Sequence, residues 1–85
     1  MKPIHFSAHA NFEMQRRGIS QADAEVVVRN PGQVVPSRKG RLIYQSKLGA
    51  AGRKVLRVIV KEDVMAYHVI SVYKTSKVAK YWKQP

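Results

Sequence analysis

The sequence predicts an α+β fold: two N-terminal helices packed on a three- to four-stranded antiparallel sheet, with a short C-terminal helical turn or tail. Three observations carry this. Residues 7–29 contain two helical segments, each bounded by a capping residue and a terminator. Residues 53–61 and 66–73 are runs rich in β-branched side chains with no internal Gly or Pro, joined by a polar turn at Glu62 and Asp63. Between these regions, turns at Gly32, residues 37–40 and residues 47–52 leave only short extended segments.

Ser7 is the predicted N-cap of the first helix, which runs through His9, Phe12, Met14 and Arg17 to a left-handed terminator at Gly18. Phe12 and Met14 are its expected contacts with the sheet. Ser20 caps the second helix in a capping-box-like arrangement with Asp23, and Pro31 stops it after Asn30. Residues 33–36 read as a short strand that Pro36 confines to an edge or a strand end. Residues 41–46 form the next strand, and residues 47–52 a flexible loop. The strand at 53–61 is apolar at Val55, Leu56, Val58, Ile59 and Val60, so both of its faces need cover, as in the middle of a sheet. Arg57 interrupts that set. Ser71, Tyr73 and Thr75 share one side of the last strand by period-two alternation. Ser76 is the expected cap of a final turn through Val78, Tyr81 and Trp82.

The 85 residues make one domain, 1–85, without cysteine and so without disulfide or thiol chemistry. No apolar run approaches the roughly 20 residues of a membrane span, and no secretory signal opens the chain. The expectation is a soluble, cytoplasmic protein with no membrane partner. The 16 Lys+Arg against 5 Asp+Glu give +11. Residues 1–36 carry a net of +1, residues 37–85 a net of +10, and no acid follows Asp63. Charge this segregated points to a polyanionic partner, either nucleic acid or an acidic protein.

Three constellations could carry chemistry. On the first helix, His9, Glu13 and Arg16 share a face at i, i+4 and i+7, with Arg17 beside Arg16. A histidine beside two guanidinium groups suits acid–base work on a phosphodiester; a solvated face with a His9–Glu13 contact explains the same spacing. At the end of the last strand, Tyr73, Lys74, Thr75, Ser76 and Lys77 gather hydroxyl and ammonium donors for phosphate oxygens; a polar strand exit explains them equally well. In the tail, Lys74, Lys77, Lys80 and Lys83 recur every three residues around Tyr81 and Trp82. Cations interleaved with aromatics grip single-stranded RNA, but the two aromatics can instead pack back onto a small core. His5 and His9 lack a third ligand, so no metal site is expected. Residues 49–54 lack phosphate-loop spacing, and no Ser–His–Asp set stands out. A helix–turn–helix reading of residues 7–30 fails because its second helix is acidic and valine-rich.

Phe6, Ser7, His9 and Ala10, then Met14, Arg17, Gly18, Ile19 and Ser20, then Asn30 and Pro31, then residues 56–60, 69–75 and 80–82 resemble the bacterial domain-of-unknown-function family 4258. The resemblance covers nearly the whole chain and keeps the order of the motifs. The layout is also similar to that of the RelE and BrnT type ribonuclease toxins, which cut RNA without metal. That resemblance implies a cofactor-free, metal-independent endoribonuclease of toxin type, or an RNA-binding descendant of one. His9, Arg17, Tyr73 and Thr75 would be catalytic, and Arg16, Arg41, Arg57, Lys74, Lys77 and Lys80 would hold the nucleic acid. Glu13 stands where the resemblance implies an arginine, so either the catalytic set is weakened or Arg16 takes over that role. The alternative is a non-catalytic module that binds an acidic, antitoxin-like protein. Oligomeric state is not legible in the sequence.

Overall fold

The structure, a computed structural model, describes residues 2–49 and 51–84. It is an α+β fold with a five-stranded mixed sheet, built in the order β1 (Ile4–Phe6), α1 (Ala8–Arg17), α2 (Gln21–Arg29), β2 (Gln33–Pro36), β3 (Leu42–Leu48), β4 (Lys54–Glu62), β5 (Tyr67–Thr75) and a short C-terminal helix, α3 (Val78–Tyr81). A single 3₁₀ turn at Arg38–Gly40 separates β2 from β3. Strand order across the sheet is β1-β5-β4-β3-β2. The doubly apolar β4 is central, and the Pro36 strand lies at an edge.

The predicted caps form. Ser7 Oγ accepts from the Ala10 amide and Ser20 Oγ from the Asp23 amide, each at 3.0 Å. Gly18 ends α1 at φ 66°, a left-handed conformation that costs a residue with a Cβ about 1 kcal/mol. The last turn differs from expectation. Lys77 precedes α3 without a side-chain cap, and Thr75 Oγ1, not Ser76, accepts the Lys77 amide.

The antiparallel expectation missed one strand. β1 pairs parallel with the start of β5, Ile4 opposite Tyr67 and Phe6 opposite Val69. Its three residues are too few for alternation to reveal, and they read as the lead-in to a helix cap. The register of β4 on β5 shifts at Ile59/Val60, leaving Ile70 as an extra residue in β5. Ser7 closes this irregular point: its amide donates to the Val69 carbonyl and its hydroxyl to that of Ile70.

α1 packs on β5 and α2 on β3 and β4. The core between helices and sheet joins Ala10, Met14, Ala24, Val27 and Val28 to Tyr44, Leu56, Val58, Val60 and Val72. Phe12 is 60% exposed, contrary to expectation. The inward stripe of α1 is Ala10, Glu13 and Met14, and Phe12 lies about 200° from Met14 around the helix. No helix among the described residues is long and apolar enough to cross a membrane.

Candidate nucleic-acid interface

The alternation that sends Leu56 and Val58 toward the helices sends Arg57 to the opposite face of the sheet. There the strand register lines up four polar residues, one from each of β2, β3, β4 and β5: Gln33 opposite Gln45, Gln45 opposite Arg57, Arg57 opposite Tyr73. They form one hydrogen-bonded row. Arg57 Nε donates to Gln45 Oε1 at 2.9 Å and Arg57 Nη1 to the Tyr73 hydroxyl at 2.5 Å. Gln45 Nε2 donates onward to Gln33 Oε1 at 2.8 Å. Accepting from Arg57 leaves the Tyr73 proton available to an outside acceptor.

Arg57 is only 6% exposed, and none of its hydrogen bonds among the described residues goes to a carboxylate. Its cover comes from the C-terminal turn. The Tyr81 ring centroid lies 4.2 Å from the guanidinium carbon, and Lys80 Nζ is 5.2 Å from the same ring. Gln45 Nε2 also donates to the Tyr81 carbonyl, while the Gln33 side chain exchanges two hydrogen bonds with the Lys83 backbone. Trp82 lies against Gly32, where an added Cβ would come within 2.7 Å of the ring. Tyr81 and Trp82 therefore pack back onto the sheet.

Arg17 joins this cluster from the last turn of α1. β1 pairs only with residues 67–69 of β5, so farther along β5 has no strand neighbour on that side. Arg17 reaches across there, its guanidinium carbon 6.0 Å from the Tyr73 ring centroid. Glu13 holds both arginines of that turn, accepting from Arg17 Nε at 2.8 Å and Arg16 Nη2 at 3.0 Å. The Arg16 contact, then that of Arg17, holds the Glu13 carboxyl below its ordinary range against the opposing effect of burial. Its partners are these arginines, not His9.

The structure thus brings together Arg17, Arg57, Tyr73 and Lys80, with Arg16 alongside. Other candidates stand apart. His9 is exposed in the first turn of α1, about 12 Å of helix rise from Arg17. Lys74 is exposed, and alternation turns it to the side opposite Tyr73. Thr75 is the last residue of β5, about 7 Å along the strand from Tyr73, where its Oγ1 accepts from the Lys77 amide, and Lys77 is exposed at the start of α3. Arg41 lies four residues from Gln45, about 13 Å along the chain. The sequence reading missed Gln33 and Gln45. Their signal was a glutamine within an apolar strand, at a position that only the register matches to Arg57.

A second polar cluster lies toward the other end of the sheet. The buried Tyr44 phenol donates to Glu62, which also accepts from Lys2 Nζ at 2.7 Å. Burial first, and then the Glu62 contact, pushes the Tyr44 phenol well above its usual range. Lys2 and then Tyr44 hold the Glu62 carboxyl down. The arrangement ties the start of the chain to the β4–β5 hairpin.

No curated protein and no solved structure matches the chain. A family model described as Domain of unknown function (DUF4258) matches residues 6–74. That span takes in α1, α2 and all the strands except the first two residues of β1 and the last of β5, and it contains Arg17, Arg57 and Tyr73. With most of its length matched in this way, the chain belongs to the DUF4258 family.

Proposed function

We propose that this protein binds RNA at the corner where α1, β5 and the C-terminal turn meet, with Arg57 and Tyr73 as the phosphate-holding centre. The observation that carries the reading is the buried guanidinium of Arg57, whose hydrogen-bond partners among the described residues are all neutral. Taking such a group out of water costs several kcal/mol unless an anion compensates it. A phosphodiester supplies the missing charge, and Arg57, Arg17 and the Tyr73 hydroxyl offer it donors from three elements, β4, α1 and β5. Arg16 and Lys80 flank this centre with exposed positive charge that steers a polyanion. The likeness in layout to RelE and BrnT type toxins supports RNA as that polyanion. The reading is one of binding rather than cleavage with His9 as base: activation of a ribose 2′-hydroxyl must occur at the same phosphodiester that the arginines hold, and His9 lies about 12 Å of helix rise from Arg17.

The second reading is capture of an acidic, antitoxin-like protein by the basic corner together with the outer side of the helical layer. Phe12 and Val26, each 60% exposed on the helical layer, favour it, because RNA phosphates have no use for them.

Both readings are tested by titrating labelled single-stranded RNA at several salt concentrations and, separately, incubating it without metal. Binding through four or five phosphates gives a log–log salt slope of about −3, reduced in magnitude by about 0.7 in Arg17→Ala. Cleavage lost in both His9→Ala and Arg17→Ala extends the reading to a ribonuclease. Absence of RNA binding at low salt, with tight binding of an acidic protein, selects the second reading.

A further inference from the structure

The floor beneath Tyr81 is made of Gln33, Gln45, Arg57 and Tyr73, which is not how a sheet face is built when its purpose is to seat an aromatic side chain permanently. Two amides and a guanidinium offer hydrogen bonds rather than apolar area. Tyr81 stacks on Arg57 at 4.2 Å, the geometry in which a guanidinium also stacks on an unpaired base. Its backbone carbonyl takes one of the Gln45 donors, and the Lys83 backbone occupies the Gln33 amide, as the polar edge of a base could. The turn itself is weakly built: four residues of helix with no side-chain cap. Trp82 is fixed by its fit over Gly32, with Lys47 Nζ 4.8 Å from its ring.

We propose that the C-terminal turn is a removable cover, and that the surface under it is a subsite for one unpaired nucleotide of single-stranded RNA. The base replaces Tyr81 on Arg57, hydrogen-bonding Gln45 and Gln33. The adjoining phosphate sits between Arg57, Arg17 and the Tyr73 hydroxyl. Duplex RNA is excluded because a paired base already has both faces stacked and its recognition edge occupied. The inference rests on the RNA-binding reading above and adds to it both strandedness and a closed resting state.

Trp82 is the sole tryptophan, so its emission reports the position of the turn. The test titrates the whole protein with a single-stranded RNA oligonucleotide and with a duplex of equal length, following binding by anisotropy of the label and the turn by Trp82 emission. Single-stranded RNA is expected to bind with a red shift of the emission maximum, and duplex without one. Two variants open the cover independently. Gly32→Ala places a Cβ against the Trp82 ring, and Tyr81→Ala removes the group stacked on Arg57. Each should bind single-stranded RNA roughly threefold to tenfold more tightly than wild type, because less of the protein must first be opened, with no gain for duplex. Single-stranded binding without a red shift, or weaker binding by both variants, overturns the cover and leaves the RNA-binding reading intact. Failure of wild type and both variants to bind any RNA overturns the two together.

Discussion

Glu13 sets the electrostatic state of the candidate interface more than any lysine does. It is the one acid at that corner among the described residues, and it occupies two guanidinium groups that would otherwise face solvent. Glu13→Gln removes the negative charge while keeping the shape. In RNA titrations it should bind several-fold more tightly at low salt and with a steeper salt slope, at a modest cost in melting temperature. If affinity fell instead, Glu13 would be ordering Arg16 and Arg17 for the ligand rather than competing with it. This residue also marks the limit of the sequence reading. Glu13 was legible as an exception on the helix but not as a buried one, because Phe12 claimed the inward position on apolar character alone. Helical spacing from Ala10 and Met14 places Glu13 inward, and two arginines one turn on make that burial tolerable. Arg57 was legible in the same way, as a cation inside an apolar strand. Its partners were not, since they depend on the register of three strand pairs.

Elements recognised by local chemistry were found at their expected positions, and the one element defined by distant pairing was not. Caps, terminators and β-branched runs are short-range signals, so α1, α2, β4 and β5 could be read from the residues themselves. β1 has only three residues, and its partners are more than sixty positions away. The serine that follows it has two functions. Ser7 caps α1 and also donates to the Ile70 carbonyl at the irregular point of β5, whereas among the described residues the side chain of Ser20 makes its cap hydrogen bond alone. Ser7→Ala should therefore cost more than Ser20→Ala, about 2 kcal/mol against about 1 kcal/mol in urea unfolding. Equal losses would mean that water replaces the Ile70 contact without penalty.

At the scale of the whole molecule, acid removes stability from three sites at once. The carboxyls of Glu13, Glu62 and Asp63 are all held below their ordinary values, by Arg16 and Arg17, by Lys2 and Tyr44, and by the Met65 and Ala66 amides respectively. The folded protein binds these protons less readily than the unfolded chain does. The stability they contribute is thus complete above the ordinary carboxyl range and is lost as the pH falls through it and into the lower folded-state values. Melting temperature should be flat around neutrality and drop steeply below about pH 4.5, the ordinary glutamate value. Glu62→Gln should lower the neutral plateau and make the acid drop shallower. An unchanged acid profile in that variant would remove Glu62 from the set.

The parallel contact between β1 and β5 also orders events in time. Synthesis delivers residues 4–6 long before residues 67–69, so the first strand leaves the ribosome with no partner and waits through the making of both helices and three further strands. During that interval Ile4 and Phe6, which later pack against the core, are available to other chains. The helices, whose contacts are local, can form meanwhile, but the surface that α1 presents to β5 stays uncovered until the sheet is nearly complete. In the growing chain, the arginine pair on α1 and the polar row on the sheet therefore meet late, which separates the making of each charged group from the making of the proposed polyanion surface.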